Sequence, residues 1–124
     1  MAAPNILSPS SMYGKTVTVD LTTTSATSLI SNAASSGKLL RIASLYIANI
    51  NGTNFADVTV TYYSAASMGG TATEICKTVT VPADASLVVV SKDAPIYLEE
   101  DRSISVTASA ANYLRVVCSY EELA

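Results

Sequence analysis

The sequence predicts an all-β fold, a two-sheet antiparallel β-sandwich of about eight strands in either an Ig-like or a jelly-roll-like arrangement. Residues 39–63, LLRIASLYIANINGTNFADVTVTYY, alternate apolar and polar side chains on both sides of Asn51-Gly52, a pattern typical of a type I′ β-hairpin. Turn residues recur roughly every 8 to 12 residues, as in sandwiches. The chain is 49% hydrophobic with one Phe and no Trp, which favours a core of Val, Ile, Leu and Tyr between sheets.

The chain divides into an N-terminal arm, residues 1–13, and a sandwich domain, residues 14–124. Pro4 and Pro9 disfavour regular strand pairing, so we expect the arm to be extended. Residues 15–21 alternate as a strand. The first residues lack a cationic start and a long apolar run, so we expect no signal peptide and a chain made in a reducing cytoplasm.

The middle of the chain contains the predicted hairpin. Residues 28–30 form a short strand or turn, and a helix over residues 26–35 is disfavoured by its Ser and Thr content. In the first arm of the hairpin, Leu45 and Ile47 face the core while Tyr46 faces outward. In the second arm Val58, Val60 and Tyr62 face the core and Thr59, Thr61 and Tyr63 face outward.

The C-terminal half reads as a series of short strands. Residues 73–81 alternate, and residues 86–91 (SLVVVS) form an apolar run that predicts a strand buried on both faces. Residues 95–98 form a brief strand that ends at an acidic turn. Residues 103–109 and 113–121 form a final hairpin.

The two cysteines are predicted to point to different faces. Cys118 shares the parity of the apolar positions of the last strand, whereas Cys76 shares that of Glu74, Thr78 and Thr80. Unless a bulge intervenes, this parity argues against a disulfide.

Composition argues against most enzyme classes and many ligands. The chain has no histidine, so Ser-His-Asp and Cys-His catalysis is impossible, and a net charge of -3 argues against a nucleic-acid groove. No stretch suits a membrane span, and no glycine loop or ligand spacing predicts a cofactor, a small-molecule substrate or a metal. Residues 99–101 are three consecutive acids, which we interpret as a solvated bend, with a weak divalent-cation site as the alternative.

Candidate binding residues are mainly outward aromatics and the hairpin tip. Exposed aromatic side chains anchor protein interfaces or stack on sugars, although they can also cover a sandwich edge. Asn51-Gly52-Thr53 matches a glycosylation triplet but is more simply the turn. The predicted partner-binding set comprises Pro4, Pro9, Tyr46, Asn51, Asn54, Phe55 and Tyr63.

Five motifs resemble a family of small β-sandwich virion structural proteins of tailed bacteriophages, especially marine and cyanobacterial phages. The resemblance covers roughly residues 38–123, and one departure is Asp101-Arg102, where such proteins often carry Gly-Asp. The motifs are Asn51-Gly52-Thr53-Asn54, residues 57–60, Val81-Pro82-Ala83, residues 95–100 and residues 119–122.

The resemblance implies a non-enzymatic particle component assembled in the host bacterial cytoplasm and located in the virion. The first hypothesis is a capsid decoration or cement protein that binds the major capsid protein through one sheet face or the N-terminal arm. The second is a neck, tail or fibre component whose loops, residues 49–56 and 64–72, contact an adjacent ring or a host glycan. A homo-oligomer is expected in either case. A bacterial adhesion module and an enzyme remain as less favoured alternatives.

Overall fold

A computed structural model describes residues 10–124, in which nine β-strands and no helix are found. The helix that was disfavoured for residues 26–35 does not form, and the short segment predicted at residues 28–30 is part of a strand, Thr27–Asn32. The all-β prediction is confirmed. The strands are β1 (Met12–Asp20), β2 (Thr27–Asn32), β3 (Leu39–Asn49), β4 (Ala56–Ala65), β5 (Gly69–Val81), β6 (Ser86–Val90), β7 (Ile96–Leu98), β8 (Arg102–Ala108) and β9 (Leu114–Leu123).

The strands form two antiparallel sheets in a jelly-roll order. Sheet A has the order β1-β9-β3-β6, with β7 also paired to β3, and sheet B has the order β2-β8-β4-β5. The paired strands are nested in the sequence: β4 pairs with β5, β2 with β8 outside them, and β1 with β9 outside those. The chain therefore resembles one long hairpin that is wrapped around the core. This nesting is the jelly-roll arrangement rather than the Ig-like one.

The two predicted hairpins, between β3 and β4 and between β8 and β9, are both wrong, because β3 and β9 belong to sheet A whereas β4 and β8 belong to sheet B. Neither Asn51 nor Gly52 has the positive φ that a type I′ turn requires. The Asn51 side chain instead accepts hydrogen bonds from the N–H groups of Thr53 and Asn54, at 2.9 and 2.8 Å. This Asx-type turn connects β3 in one sheet to β4 in the other. The apolar faces of the two strands therefore meet across the same core, although the strands do not pair.

The two-residue hairpin of this fold lies instead between β4 and β5. Ser67 and Met68 have φ values of 57° and 60°, and Gly69 N–H donates to the Ala66 carbonyl at 3.2 Å. Two central residues of positive φ are the requirement of a type I′ turn. The sequence did not suggest it, because neither residue is the usual Asn or Gly.

The core lies between the two sheets and follows the predicted alternation. Leu45 and Ile47 of sheet A and Val58 and Val60 of sheet B are fully buried. Val17 and Val19 pack at its margin, half-buried, on the predicted inner face of β1. The inward and outward parity of β1, β3 and β4 was therefore predicted correctly, although the partners of β3 and β4 were not.

The first strand begins earlier than predicted. Its start at Met12 places the last two residues of the predicted arm within β1. The N–H of Ser11 donates to the carbonyl of Ala124, and the N–H of Ala124 donates to the carbonyl of Ser11, so the residue before β1 is paired with the residue after β9. Pro4 and Pro9 lie outside the described residues.

The strand that the apolar run of residues 86–91 predicts is not buried on both faces. Residues 86–90 form β6, at the edge of sheet A, and the Val88 side chain points outward. An unbroken apolar run does not distinguish a central strand from an edge strand, since that depends on which strands lie beside it.

The predicted orientation of Cys76 is also wrong. Opposite β4, Val79 pairs with Val58 but Cys76 pairs with Val60, so β5 contains an extra residue at this point. Thr78 lies in this bulge with a φ of 52°. The bulge reverses the parity of the strand and turns Cys76 toward the core, where it is half-buried.

Both thiols are free, and Cys118 is buried in the core as predicted. Burial raises the pKa of the Cys118 thiol to about 11 and also raises that of Cys76. Because the thiolate is the reactive form, neither cysteine is activated for chemistry.

Candidate docking surfaces

The outer faces of the two sheets differ in chemistry. On sheet B, Ser103 and Ser105 of β8 and Thr61 of β4 are buried hydroxyl-bearing residues. Tyr63 also lies there, half-buried, with its hydroxyl 3.0 Å from Ser105 Oγ. The Tyr63 hydroxyl is therefore paired within this face, and Tyr63 is not a free aromatic anchor.

Sheet A presents large apolar side chains on its outer face. Tyr46 of β3 lies directly opposite Val88 of β6 on one side and Val117 of β9 on the other. Tyr97 of β7 lies opposite Arg41 on the same face. We call the following four exposed residues the apolar face: Met12, Tyr46, Val88 and Tyr97, with exposures of 57%, 39%, 62% and 42%.

One end of the apolar face contains a shallow groove of about 230 Å³, lined by Met12, Arg41, Tyr97, Glu121 and Leu123. Leu123 is buried. The Arg41 guanidinium donates a hydrogen bond to the Glu121 carboxylate, and this bond raises the pKa of Arg41. The groove therefore combines an apolar floor with an internally paired charge, a composition suited to protein contact.

A second surface lies at one end of the sandwich, where residues 50–55 connect β3 to β4. We call this segment the crossover loop. Asn49, at the end of β3, is buried and donates from Nδ2 to the carbonyls of Asn54 and Val81, at 3.1 and 3.0 Å. Its Oδ1 accepts from Asn51 N–H at 2.9 Å. Asn49 thus fixes the loop from beneath.

The upper side of the crossover loop is open to solvent. Phe55 is 62% exposed and Ile50 is also exposed. The Asn54 side chain donates to the Tyr113 hydroxyl at 3.3 Å. The loop is therefore held by Asn49 and by the bond from Asn54 to Tyr113, and it presents exposed apolar side chains, among them Phe55 as predicted.

The predicted site residues fall in separate places rather than in one site. Asn51, Asn54 and Phe55 share the crossover loop, Tyr46 lies on the apolar face, and Tyr63 lies on the opposite sheet. Sequence reasoning missed Val88, Tyr97 and Met12, whose shared face becomes visible only when β6, β7 and β1 are placed beside β3 and β9. It also missed the structural role of Asn49. The one hint in the sequence was a single amide side chain at the end of an otherwise apolar strand.

The acidic turn at residues 99–101 supports the fold. Glu100 Oε2 accepts from Gly37 N–H at 3.2 Å, and Asp101 Oδ1 accepts from Ala66 N–H at 2.9 Å. Asp101 has a φ of 61°, the conformation that glycine adopts readily, so the turn keeps a glycine-like shape despite the departure from Gly. Across residues 10–124, no group of three Cys, Asp or Glu side chains is placed to hold a metal ion.

Nothing in the described part of the chain forms a helix of the length and apolarity needed to cross a membrane.

No family model and no curated protein matches this sequence. Among solved structures, the chain is similar to a protein of Bacillus endospore appendages, described as a novel family of disulfide-linked pili. The TM-score is 0.54 at 18% identity, over 90% of this chain and 87% of that chain.

Two viral structures align more loosely. A protein of the infectious bursal disease virus particle gives a TM-score of 0.49 at 10% identity over 98% of this chain, which spans 35% of that chain. A protein of the virus-like particle of Macrobrachium rosenbergii extra small virus gives 0.44 at 12% identity, over 98% and 85% of the two chains. At these identities, the similarity to the pilus protein shows a shared β-sandwich fold.

Proposed function

We propose that this chain is a non-enzymatic structural protein of a bacteriophage virion, and specifically a decoration or cement protein that docks on the major capsid protein through the apolar face of sheet A. The observation that carries the proposal is that Met12, Tyr46, Val88 and Tyr97 are exposed on one sheet face, whereas on the other outer face Tyr63 is half-buried with its hydroxyl 3.0 Å from Ser105 Oγ. Large exposed apolar side chains on one face are typical of an interaction surface.

Two further lines support the virion assignment. The five sequence motifs resemble small virion proteins of tailed phages, and jelly rolls recur in viral capsid domains. The second line is an analogy at the level of fold, which hosts many functions.

The physical case rests on many modest contacts. Tyr supplies broad, rigid contact area with a polar tip, and such residues dominate interface energetics. A protein that binds repeated sites on a particle, as a homo-oligomer, gains avidity from each additional subunit.

Disulfide linkage, named for the similar pilus protein, does not suit this chain. Its two cysteines are Cys76, half-buried, and Cys118, buried in the core. We therefore propose that the chain attaches to the capsid non-covalently.

Substitution on the apolar face tests the proposal. Val88→Lys places a charge on the apolar face at an exposed site, and we expect it to abolish co-sedimentation with capsids that lack the chain while leaving thermal unfolding unchanged. Ala72→Lys is the matched control, because Ala72 is exposed and lies opposite Tyr63 on the outer side of sheet B. Equal capsid binding by both variants would overturn the proposed docking face.

A neck, tail or fibre role is the second candidate, and the exposed Phe55 at the tip of the anchored crossover loop favours it. This loop suits contact with an adjacent ring or a host glycan, since aromatic side chains stack on sugars. Glycan-array binding that is lost on Phe55→Ala but kept on Val88→Lys would support this role. Copy number separates the two candidates, because decoration follows the capsid lattice whereas a neck or tail protein forms a single ring or a few fibres.

A further inference from the structure

The two sheets end in edge strands, and they differ in how well each edge is protected. On sheet B, β5 is interrupted by three register shifts, and β2 has six residues with a shift of its own. On the far side of sheet A, β6 and β7 are short and separate. Bulges and short strands block the addition of another strand.

β1 is the exception among the edges of the described chain. All nine of its residues pair with β9 in one unbroken register, from Met12 opposite Leu123 to Asp20 opposite Arg115. No other described strand pairs with β1, and no described loop donates a backbone hydrogen bond to it. β1 therefore offers a continuous row of backbone donors and acceptors.

The side chains of β1 do not protect this edge. It contains no proline, and its two charged residues are engaged by its own neighbour β9. Lys15 Nζ lies 2.8 Å from Glu122 Oε2, and Asp20 Oδ1 lies 3.7 Å from Arg115 Nε. Natural edges are often guarded by charged side chains, especially Lys, or by prolines; β1 has no proline, and its single Lys is held by Glu122 of the neighbouring strand.

We propose that β1 pairs antiparallel with β1 of a second copy of this chain, about a two-fold axis at Thr16, so that the two A sheets join into one. This register is the one that pairs all nine residues and keeps inward-facing residues opposite inward-facing ones. Tyr13 lies opposite Val19 of the partner subunit, an aromatic and β-branched pair, which is favourable across strands. Lys15 lies opposite Val17 of the partner subunit, so no like charges face each other directly.

The pairing has a consequence for docking, and this consequence alone rests on the proposed function. An antiparallel edge pairing keeps corresponding faces on the same side of the joined sheet. The apolar faces of both copies would then point the same way and bind as a bivalent unit.

Cysteine crosslinking tests the axis in the free protein, without any capsid. In a Cys76→Ser background, Thr16→Cys places two thiols on the axis, where opposite Cα atoms of paired strands lie about 4.5–5.5 Å apart, within disulfide range. We expect mild oxidation of the concentrated protein to give a covalent dimer. Gly14→Cys is the control, because a side chain at Gly14 meets nothing within 4 Å and the same position of the partner subunit would lie about 14 Å away, too far for a disulfide.

Equal crosslinking of both variants, or none at Thr16→Cys, would overturn the pairing. If Thr16→Cys gives no crosslink, the strand that pairs with β1 would have to come from a different protein. Neither result bears on capsid binding by Val88→Lys, so failure here and failure of the proposed function are distinguishable.

A charge swap tests the register independently, because Gly14 lies opposite Thr18 of the partner subunit. Gly14→Lys/Thr18→Lys puts like charges opposite each other twice, whereas Gly14→Lys/Thr18→Glu puts opposite charges there. Sedimentation velocity should show self-association about tenfold weaker in the first variant than in the second. The same dissociation constant in both would contradict the register.

Discussion

Two buried asparagine amides hold the connections of this sandwich. Asn49 donates to the carbonyls of Asn54 and Val81, and Asn32 donates to those of Lys38 and Leu98. A buried carbonyl without a partner is costly, so each amide substitutes for strand pairing where the chain leaves a sheet.

The first prediction concerns Asn49. Asn49→Ala should lower the free energy of unfolding by about 2 kcal/mol, because two carbonyls and the Asn51 N–H lose their partner. Asn54→Ala, which removes only an exposed side-chain bond to Tyr113, should cost about 0.5 kcal/mol or less. Urea titrations of both variants measure the difference, and equal costs would show that the buried amide does not fix the crossover loop.

The second prediction concerns Glu122, which accepts hydrogen bonds from Lys15 and Lys38 at 2.8 and 3.0 Å. These bonds lower the pKa of Glu122 from its usual 4.5. Its contribution to stability is therefore present above pH 4.5 and lost as the pH falls through the lower, folded-state pKa.

Glu122→Gln should accordingly be less stable than the natural protein near neutral pH, and the difference should shrink on acidification to about pH 3. Chemical denaturation across this range measures it. A difference that stays constant with pH would mean that the ionised carboxylate contributes nothing.

At the scale of elements, the β4–β5 turn is strained. Ser67 and Met68 both adopt left-handed φ values that Asn and Gly adopt more readily. Ser67→Asn/Met68→Gly should therefore raise the free energy of unfolding by about 1 kcal/mol.

Gly70→Ala supplies the opposite control for this turn. Gly70 has a φ of 72°, and an added Cβ would collide with Ser64 Oγ and crowd the backbone of Ala65. This variant should lower the melting temperature while the double variant raises it. A decrease in both would contradict the strain at Ser67 and Met68.

Alternation in the sequence predicted which side chains of a strand face the core, but it did not predict which strands pair with one another. Leu45, Ile47, Val58 and Val60 are buried as their parity indicates, because one face of each strand must meet the core. The same pattern could not show that β3 and β4 belong to different sheets, since a turn of Asn and Gly suits a crossing as well as a hairpin. Nor could it show the bulge at Thr78 that turns Cys76 inward.

For the whole molecule, the docking surfaces depend on topology. Phe55 and Tyr46 were predicted to be exposed from the sequence. Val88 and Tyr97 were not, because their common face exists only when β6 and β7, distant from β3 in the chain, pair with it. A jelly roll brings such residues together through long-range pairing, which local sequence does not encode.

Placement in a particle is the most direct test of the proposed function. Electron cryomicroscopy of assembled virions should show this chain at repeated sites over the capsid lattice, with the outer face of sheet A, including Tyr46 and Val88, against the major capsid protein. Density for the chain at a single neck or tail ring, or with sheet B toward the capsid, would contradict the account.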